Sequence, residues 1–320
     1  MINRNCKLIK SLALMTSLLL ILSSCASLLP PASGSGPAPG SFKAAPAIDK
    51  DREGNPIKLP DKIEKLIVMG PSNTETVVAL GRGDIIIASD EYSDGIPGLP
   101  QGIPKFSMKT PDGEQIISLA PDAIIVTGMT KAGGDDPFKI VADAGICVIF
   151  IPSSNSLDGI MDDIRFISEI LSAQEAGDKI VKEMKEKIEA IRAVGKTIAA
   201  KKNVYFEISA APYIYSFGSG VFLNEMIEII GAANILADQS EWISVSEEAV
   251  LAANPDVILT SVNYIDDPVA EIMSRDGWGE ITAVRNGDVY YISTNYSNRP
   301  NHNVTLAMAE MAKAIYPDKY

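Results

Sequence analysis

The sequence contains one histidine, His302, three cysteines and two tryptophans in 320 residues. With a single imidazole, no Ser-His-Asp, Cys-His or HExxH arrangement can be assembled, so nothing in the chain reads as catalytic. Sites for bare zinc or manganese usually need several imidazoles, which disfavours a binder of free metal and points to a metal that arrives as a complex or chelate. Cysteine is equally scarce. Cys6 and Cys25 precede the expected folded part and Cys147 lies in the apolar stretch ICVIFI, so no disulfide pair is left for it. Basic residues are in deficit, 28 Lys and Arg against 41 Asp and Glu, a formal charge of −13. That balance argues against nucleic acid or anionic lipid as partner and suits solubility or docking on a basic surface.

Among what is present, residues 1–24 place Arg4, Lys7 and Lys10 ahead of the apolar run SLALMTSLLLILSS and carry no acid. This is the pattern of a secretory signal peptide, too short for a comfortable membrane span. Its loss would leave a charge of −16. Leu22-Ser23-Ser24-Cys25 resembles the lipobox of bacterial lipoproteins, in which the cysteine is acylated and becomes the mature N-terminus. An ordinary cleavage site beside an incidental cysteine is the alternative. Residues 25–45, rich in Pro, Gly, Ser and Ala without apolar periodicity, are expected to form a lipid-anchored flexible tether.

Beyond the tether, the strands KLIVM, DIIIAS, AIIVTG and CVIFIP alternate with helical segments, the signature of a parallel sheet covered on both faces. Ser72, Asn73 or Thr74 is a candidate cap for the helix ETVVALG. From about residue 156 to residue 202 the strand signal disappears and the segment reads as helix throughout, with Ile180, Met184, Ile188 and Ile191 three or four apart. Strands resume at NVYFEIS and again at DVYYIS. The expected fold is α/β: two Rossmann-like lobes, residues 46–170 and 203–320, joined by a single long helix over 171–202, with a ligand cleft between them.

One phrase occurs twice. EQIISLAPDAII begins at Glu114 and EAVLAANPDVIL at Glu248, each with proline seven residues after the glutamate. Each reads as a short amphipathic helix stopped by Pro-Asp and followed by a buried strand. The glutamates at matching positions are open to a plain reading, as acids favoured by a helix amino terminus.

Together GPSNTETVVALG, GEQIISLAPDAIIV, GAANILADQSEWISVSEEAVLAANPDVIL and WGEITAVRNGDVYYI resemble the substrate-binding lipoproteins of ABC importers, in the helical-backbone class that handles vitamin B12 and iron complexes. The resemblance spans about residues 46–320. It implies no enzymatic activity and no cofactor of its own. Its implied ligand is a ferric chelate of siderophore type, with a corrinoid or haem as the alternative. It implies a dimeric permease with a cytoplasmic ATPase as partner, a lipid anchor in a bacterial membrane, and a location facing the periplasm or cell exterior. In this class one glutamate of each lobe docks on arginines of the permease, and by position those are Glu114 and Glu248. By position also, Tyr92, Met108 and Trp242 are implied cleft residues, with Lys109, Tyr213, Tyr215, Tyr296 and Arg299 as weaker candidates. Tyr and Trp offer flat apolar faces with a polar handle, and Arg299 a cation for an anionic chelate. Met108 departs from the aromatic found there in B12 binders.

Overall fold

Period-two alternation along apolar strands buries one set of side chains on each face of a sheet, and it organises both halves of this protein. The computed structural model describes residues 48–131 and 136–320; the expected signal peptide, the tether and Cys25 lie outside the described residues. The first half runs β1 (Leu66–Val68), α1 (Pro71–Ala79), β2 (Ile86–Asp90), β3 (Lys105–Phe106), α2 (Gly113–Ser118), β4 (Ala123–Thr127), α3 (Lys139–Asp143) and β5 (Cys147–Ile151). These strands form one parallel sheet in the order β3-β2-β1-β4-β5. Leu66, Val68, Ile125 and Ile149 pack on one face against Val77, Leu80 and Ile167. Ile67, Ile124 and Val126 pack on the other against Ile116, Phe138 and Val141. Cys147 is half-buried in β5, where burial pushes its thiol up.

A helical pair follows, α4 (Leu157–Ile170) and α5 (Gln174–Gly195). The reading of 156–202 as helix throughout is therefore interrupted at residues 171–173, where Ser172 takes a left-handed φ of 52°, and the long helix expected over 171–202 corresponds to α5. Neither Gly nor Pro marks this turn, so periodicity runs through it unseen. Both helices serve two cores. In α4, Leu157, Ile160 and Ile164 face the second half's core and Ile167 and Ile170 the first's. In α5, Ala176 packs on the first core, Ile180 on both, and Val181, Met184 and Ile188 on the second. At 22 residues α5 is about 33 Å long.

The second half comprises β6 (Asn203–Glu207), β7 (Tyr215–Phe217), α6 (Phe222–Ile230), β8 (Ala233–Asn234), β9 (Trp242–Ser244), α7 (Glu247–Ala253), β10 (Val257–Thr260), α8 (Pro268–Met273), α9 (Thr282–Asn286), β11 (Val289–Tyr291), α10 (Thr294–Ser297) and α11 (Val304–Ile315). Its parallel sheet has the order β8-β6-β10-β11, the same arrangement as β2-β1-β4-β5. Val204, Phe206, Val257 and Leu259 face α6 and α11, while Tyr205, Ile258 and Val289 face Trp278 and Ile272. The antiparallel pair β7 and β9 stands beside this sheet.

The repeated phrase proves to be one structural device used twice. Asp112 and Ser246 cap α2 and α7 by accepting from the backbone N–H groups of Gln115 and Ala249. Each helix leads to a residue in the left-handed region, Ala120 at φ 46° and Asn254 at φ 44°, directly before the proline. The aspartate after it then clamps the start of the neighbouring first strand. Asp122 accepts from the N–H groups of Glu64 and Lys65, both at 2.8 Å, and Asp256 from that of Asn203, at 2.8 Å.

Helix α5 ends against α6 without room for a side chain. A Cβ at Gly195 would stand 2.2 Å from the carbonyl oxygen of Ile229 and 2.9 Å from the carbonyl carbon of Ile230. Backbone at a helix end cannot swing aside, so Gly195→Ala should destabilise the protein by about 2–3 kcal/mol, seen as a lower urea midpoint. Gly279→Ala, where a Cβ meets nothing within 4 Å, should leave the midpoint in place.

Candidate functional site

The carboxyl ends of the first sheet's strands open onto a cavity of about 260 Å³. Gly70 to Ser72 follow β1, Met108 follows β3, Thr127 ends β4 with Met129 in the turn after it, and Ser153 to Asn155 follow β5. Phe222, Trp242, Asn298, Arg299 and Pro300 close the opposite wall from the second half. Two wider troughs, about 720 and 980 Å³, flank α5 and are lined by helix side chains rather than strand ends.

Asp90, fully buried at the end of β2, sets the floor. Its carboxylate accepts from the N–H of Gly70 at 2.9 Å, the N–H of Tyr92 at 2.8 Å and the hydroxyl of Ser93. Gly70 has a φ of 97°, and a Cβ there would press on the Thr127 methyl at 3.2 Å. Helix α1 consequently starts at Pro71 with Gly70 at the cap, and the expected cap from Ser72, Asn73 or Thr74 does not form. Those residues lie in the first turn instead, where Asn73 Nδ2 donates to the Met69 carbonyl and Thr74 Oγ1 to that of Gly70.

Trp242 lies in strand β9, although its polar neighbours read as a loop, and its backbone pairs with Phe217. Its ring meets Phe217 and Phe222 edge-on, with centroids 6.0 and 6.5 Å away, leaving part of the indole toward the cavity. Trp278, the second tryptophan, is fully buried elsewhere. Met108 is 5% exposed and packs with the first core.

Arg299 reaches the lining, but its guanidinium is engaged. Nη1 donates to Glu75 Oε1, and Glu75 Oε2 accepts from the side-chain amides of Asn301 and Asn303, the latter at 3.2 Å. One carboxylate of α1 thus gathers three donors from residues 299–303 across the cavity. Beside it, His302 Nδ1 is buried without a hydrogen-bond partner among the described residues, and burial holds the imidazole below its usual pKa despite the pull of Glu75. A second cross-cavity contact links Asn155 Nδ2 to Glu241 Oε2 at 3.3 Å.

The structure therefore brings Met108, Trp242 and Arg299 to one cavity. Tyr92 is 57% exposed in the turn after β2, outside the lining. Lys109 is exposed one residue beyond Met108. Tyr213 is 82% exposed, and Tyr215 donates from its hydroxyl to the Trp242 carbonyl at 3.3 Å. Tyr296 packs against the second core. Sequence reasoning passed over Glu75, which sits inside the quoted landmark GPSNTETVVALG, and Phe222 and Met129; nothing in local pattern separates an acid that crosses to another lobe from a solvated one.

Glu114 and Glu248 occupy equivalent places, each the second residue of its helix and exposed. Backbone N–H at the amino end of α7 holds the Glu248 carboxyl below the usual carboxylate range, helped by Ser246. Among the described residues neither has an ion-pair partner, whereas adjacent Glu247 accepts from Trp278 Nε1 at 2.8 Å. Among the same residues no cluster of three or more His, Cys, Asp or Glu is placed to hold a metal, and no helix is long and apolar enough to cross a membrane.

The family model described as "Periplasmic binding protein" matches residues 66–296. The uncharacterized ABC transporter substrate-binding lipoprotein YvrC of Bacillus subtilis is 31% identical over 277 residues, which cover 86% of this chain and 87% of that one. A possible iron-binding (periplasmic solute-binding) protein of Staphylococcus epidermidis superposes with a TM-score of 0.71 at 26% identity, covering 80% of this chain and 100% of that one. The periplasmic vitamin B12 binding protein BtuF of Vibrio cholerae does so with a TM-score of 0.66 at 26% identity, covering 81% and 98%. The chain belongs to the periplasmic binding protein family, the extracytoplasmic solute-binding components of ABC transporters, and its task is binding rather than catalysis.

Proposed function

We propose that this protein captures a ferric chelate of siderophore type between its lobes and delivers it to the permease of an ABC importer. The observation that carries the reading is the lining of the cavity. Trp242, Phe222, Met108 and Met129 supply apolar and polarisable faces, while Ser72, Thr127, Ser153 and Asn155 supply neutral hydrogen-bonding groups. Such a mixture suits the organic envelope of a metal complex, whose metal needs no protein ligand. At about 260 Å³ the cavity is smaller than the roughly 300–1,000 Å³ of sites that engulf a drug-sized molecule, so entry requires the lobes to part modestly. Tyr92, Lys109, Tyr213, Tyr215 and Tyr296 would then contribute from the rims. Acylation of Cys25 would anchor the protein to the membrane through residues 26–45. Glu114 and Glu248, one on each lobe, would pair with permease arginines, because a carboxylate and a guanidinium form a directional bidentate contact.

Tryptophan fluorescence tests the reading, because Trp278 is sealed in the second core and only Trp242 faces the cavity. Titration with ferric siderophores should quench the emission with a Kd below about 1 μM, near −8 kcal/mol, and Trp242→Phe should abolish the response. Absence of quenching by any ferric chelate would remove the iron reading. A second reading, a corrinoid, is favoured by the likeness to a vitamin B12 binding protein and by a lining whose hydrogen-bonding groups are mostly uncharged. Protein purified from cells with intense corrinoid bands in its visible spectrum would select it.

A further inference from the structure

Among the described residues, Arg299 is the one ionised side chain on the cavity lining. Its charge does not stand open to a ligand, because Glu75 from the opposite lobe holds it, with Asn301 and Asn303 filling the rest of that carboxylate. Both ionised side chains are largely withdrawn from solvent, 19% and 11% exposed, so water screens their mutual attraction little. Most of the charged groups behind the lining are acids or are already paired. Asp90 lies under the floor with three neutral donors. Asp163, which accepts from cavity residue Ser154, is matched by Arg52. Glu241 sits at the Asn155 side of the mouth. His302, whose imidazole burial holds below its usual pKa, stands in the fields of both Glu75 and Lys187.

We propose that Glu75 is a specificity-determining residue: by masking Arg299 from across the cavity it sets this site against anionic ligands and in favour of complexes with no net negative charge. The inference rests on the reading of the cavity as the ligand site and narrows the class of chelate to uncharged ones, such as a ferric trihydroxamate, over a ferric tris-catecholate carrying three negative charges. An anionic chelate would have to displace the carboxylate of Glu75 from three donors before gaining Arg299, and would meet that carboxylate as a like charge.

The test separates charge from cargo. Iodide, an anion, and acrylamide, which is uncharged, both quench an accessible indole, and in the full chain only Trp242 is open to them. Glu75→Gln, which keeps the shape and removes the charge, should raise the ratio of iodide to acrylamide quenching at least twofold at low ionic strength, with the difference shrinking in salt. Arg299→Met, which leaves Glu75 uncompensated, should lower the ratio. A ratio that does not move in either variant overturns the proposal, whatever either does to acrylamide quenching alone. In parallel, wild type and Glu75→Gln are titrated with the two chelates. The variant should gain at least tenfold for the trianionic chelate relative to the neutral one. If both bind and the preference is unchanged, charge masking is wrong while the chelate reading stands. If neither binds but the iodide ratio rises, masking stands and the chelate reading fails.

Discussion

Arg275→Ala should cost this protein about 3–5 kcal/mol of stability, a large share of the total for most domains. Arg275 Nη1 and Nη2 meet the two oxygens of Glu207 at 2.7 and 2.8 Å, Nε and Nη2 meet Glu271 at 2.9 and 2.6 Å, and the guanidinium stacks 4.5 Å from the Trp278 ring centre. Glu207, at the end of β6, is fully buried. Burial alone would pull the guanidinium down, and the two carboxylates more than reverse it, so Arg275 stays charged. Burial pushes Glu207 up, and Arg275 pulls it back only in part. Removing the arginine leaves a carboxylate in the core with no cation beside it, which is what makes the loss large. The loss should also depend on pH, with a definite sign. A carboxyl whose folded pKa is raised favours the fold in its protonated form, fully below its unfolded pKa of about 4.3 and progressively less as pH rises through the folded value. Without Arg275 the folded value rises further, so the deficit of Arg275→Ala should widen as pH rises above that unfolded value in urea unfolding. Glu207→Leu combined with Arg275→Met, which removes both charges, should recover much of it. A single variant as stable as wild type at pH 8 would show that the pair is not load-carrying in this sense.

Much of this architecture is legible in the sequence because it rests on local rules. The strands at 66–68, 123–127, 147–151 and 257–260 are dense β-branched runs that only a doubly covered sheet accommodates, and the Pro-Asp phrases mark where helices must stop. Within the helical stretch 156–202 the left-handed turn at Ser172 carries no local signal, since neither glycine nor proline forms it. Trp242 was legible as a cavity residue but not as strand, because β9 is three residues long and gains its regularity from pairing with β7. Arg299 was legible as a cation and not as a masked one. Glu75 lies 224 residues away in the chain, and no local pattern encodes a partner supplied by another lobe. What tertiary structure adds is thus mainly long-range pairing, and that is also what decides the charge of the cavity.

The same logic of position carries the last prediction. Alanine at Glu114 or Glu248 should each lower uptake by cells about 10- to 100-fold, since a charge-assisted contact contributes roughly 1.5–3 kcal/mol, and the double variant should reduce it to background. Ligand affinity should not change in any of the three, because neither residue lines the cavity. This split between uptake and affinity is what a docking role demands and a structural one does not supply: both side chains are exposed, and the caps of their helices belong to Asp112 and Ser246. Glu247→Ala provides the contrast. Its carboxylate is tied to the Trp278 indole, so its loss should lower stability while leaving uptake by the folded protein near wild type. Uptake at the wild-type rate in the double variant would mean that the duplicated phrase is a device for building two lobes and nothing more. Its caps, left-handed residues and aspartate clamps explain six of its constraints without any partner, and only the two outward glutamates are left for the permease to explain.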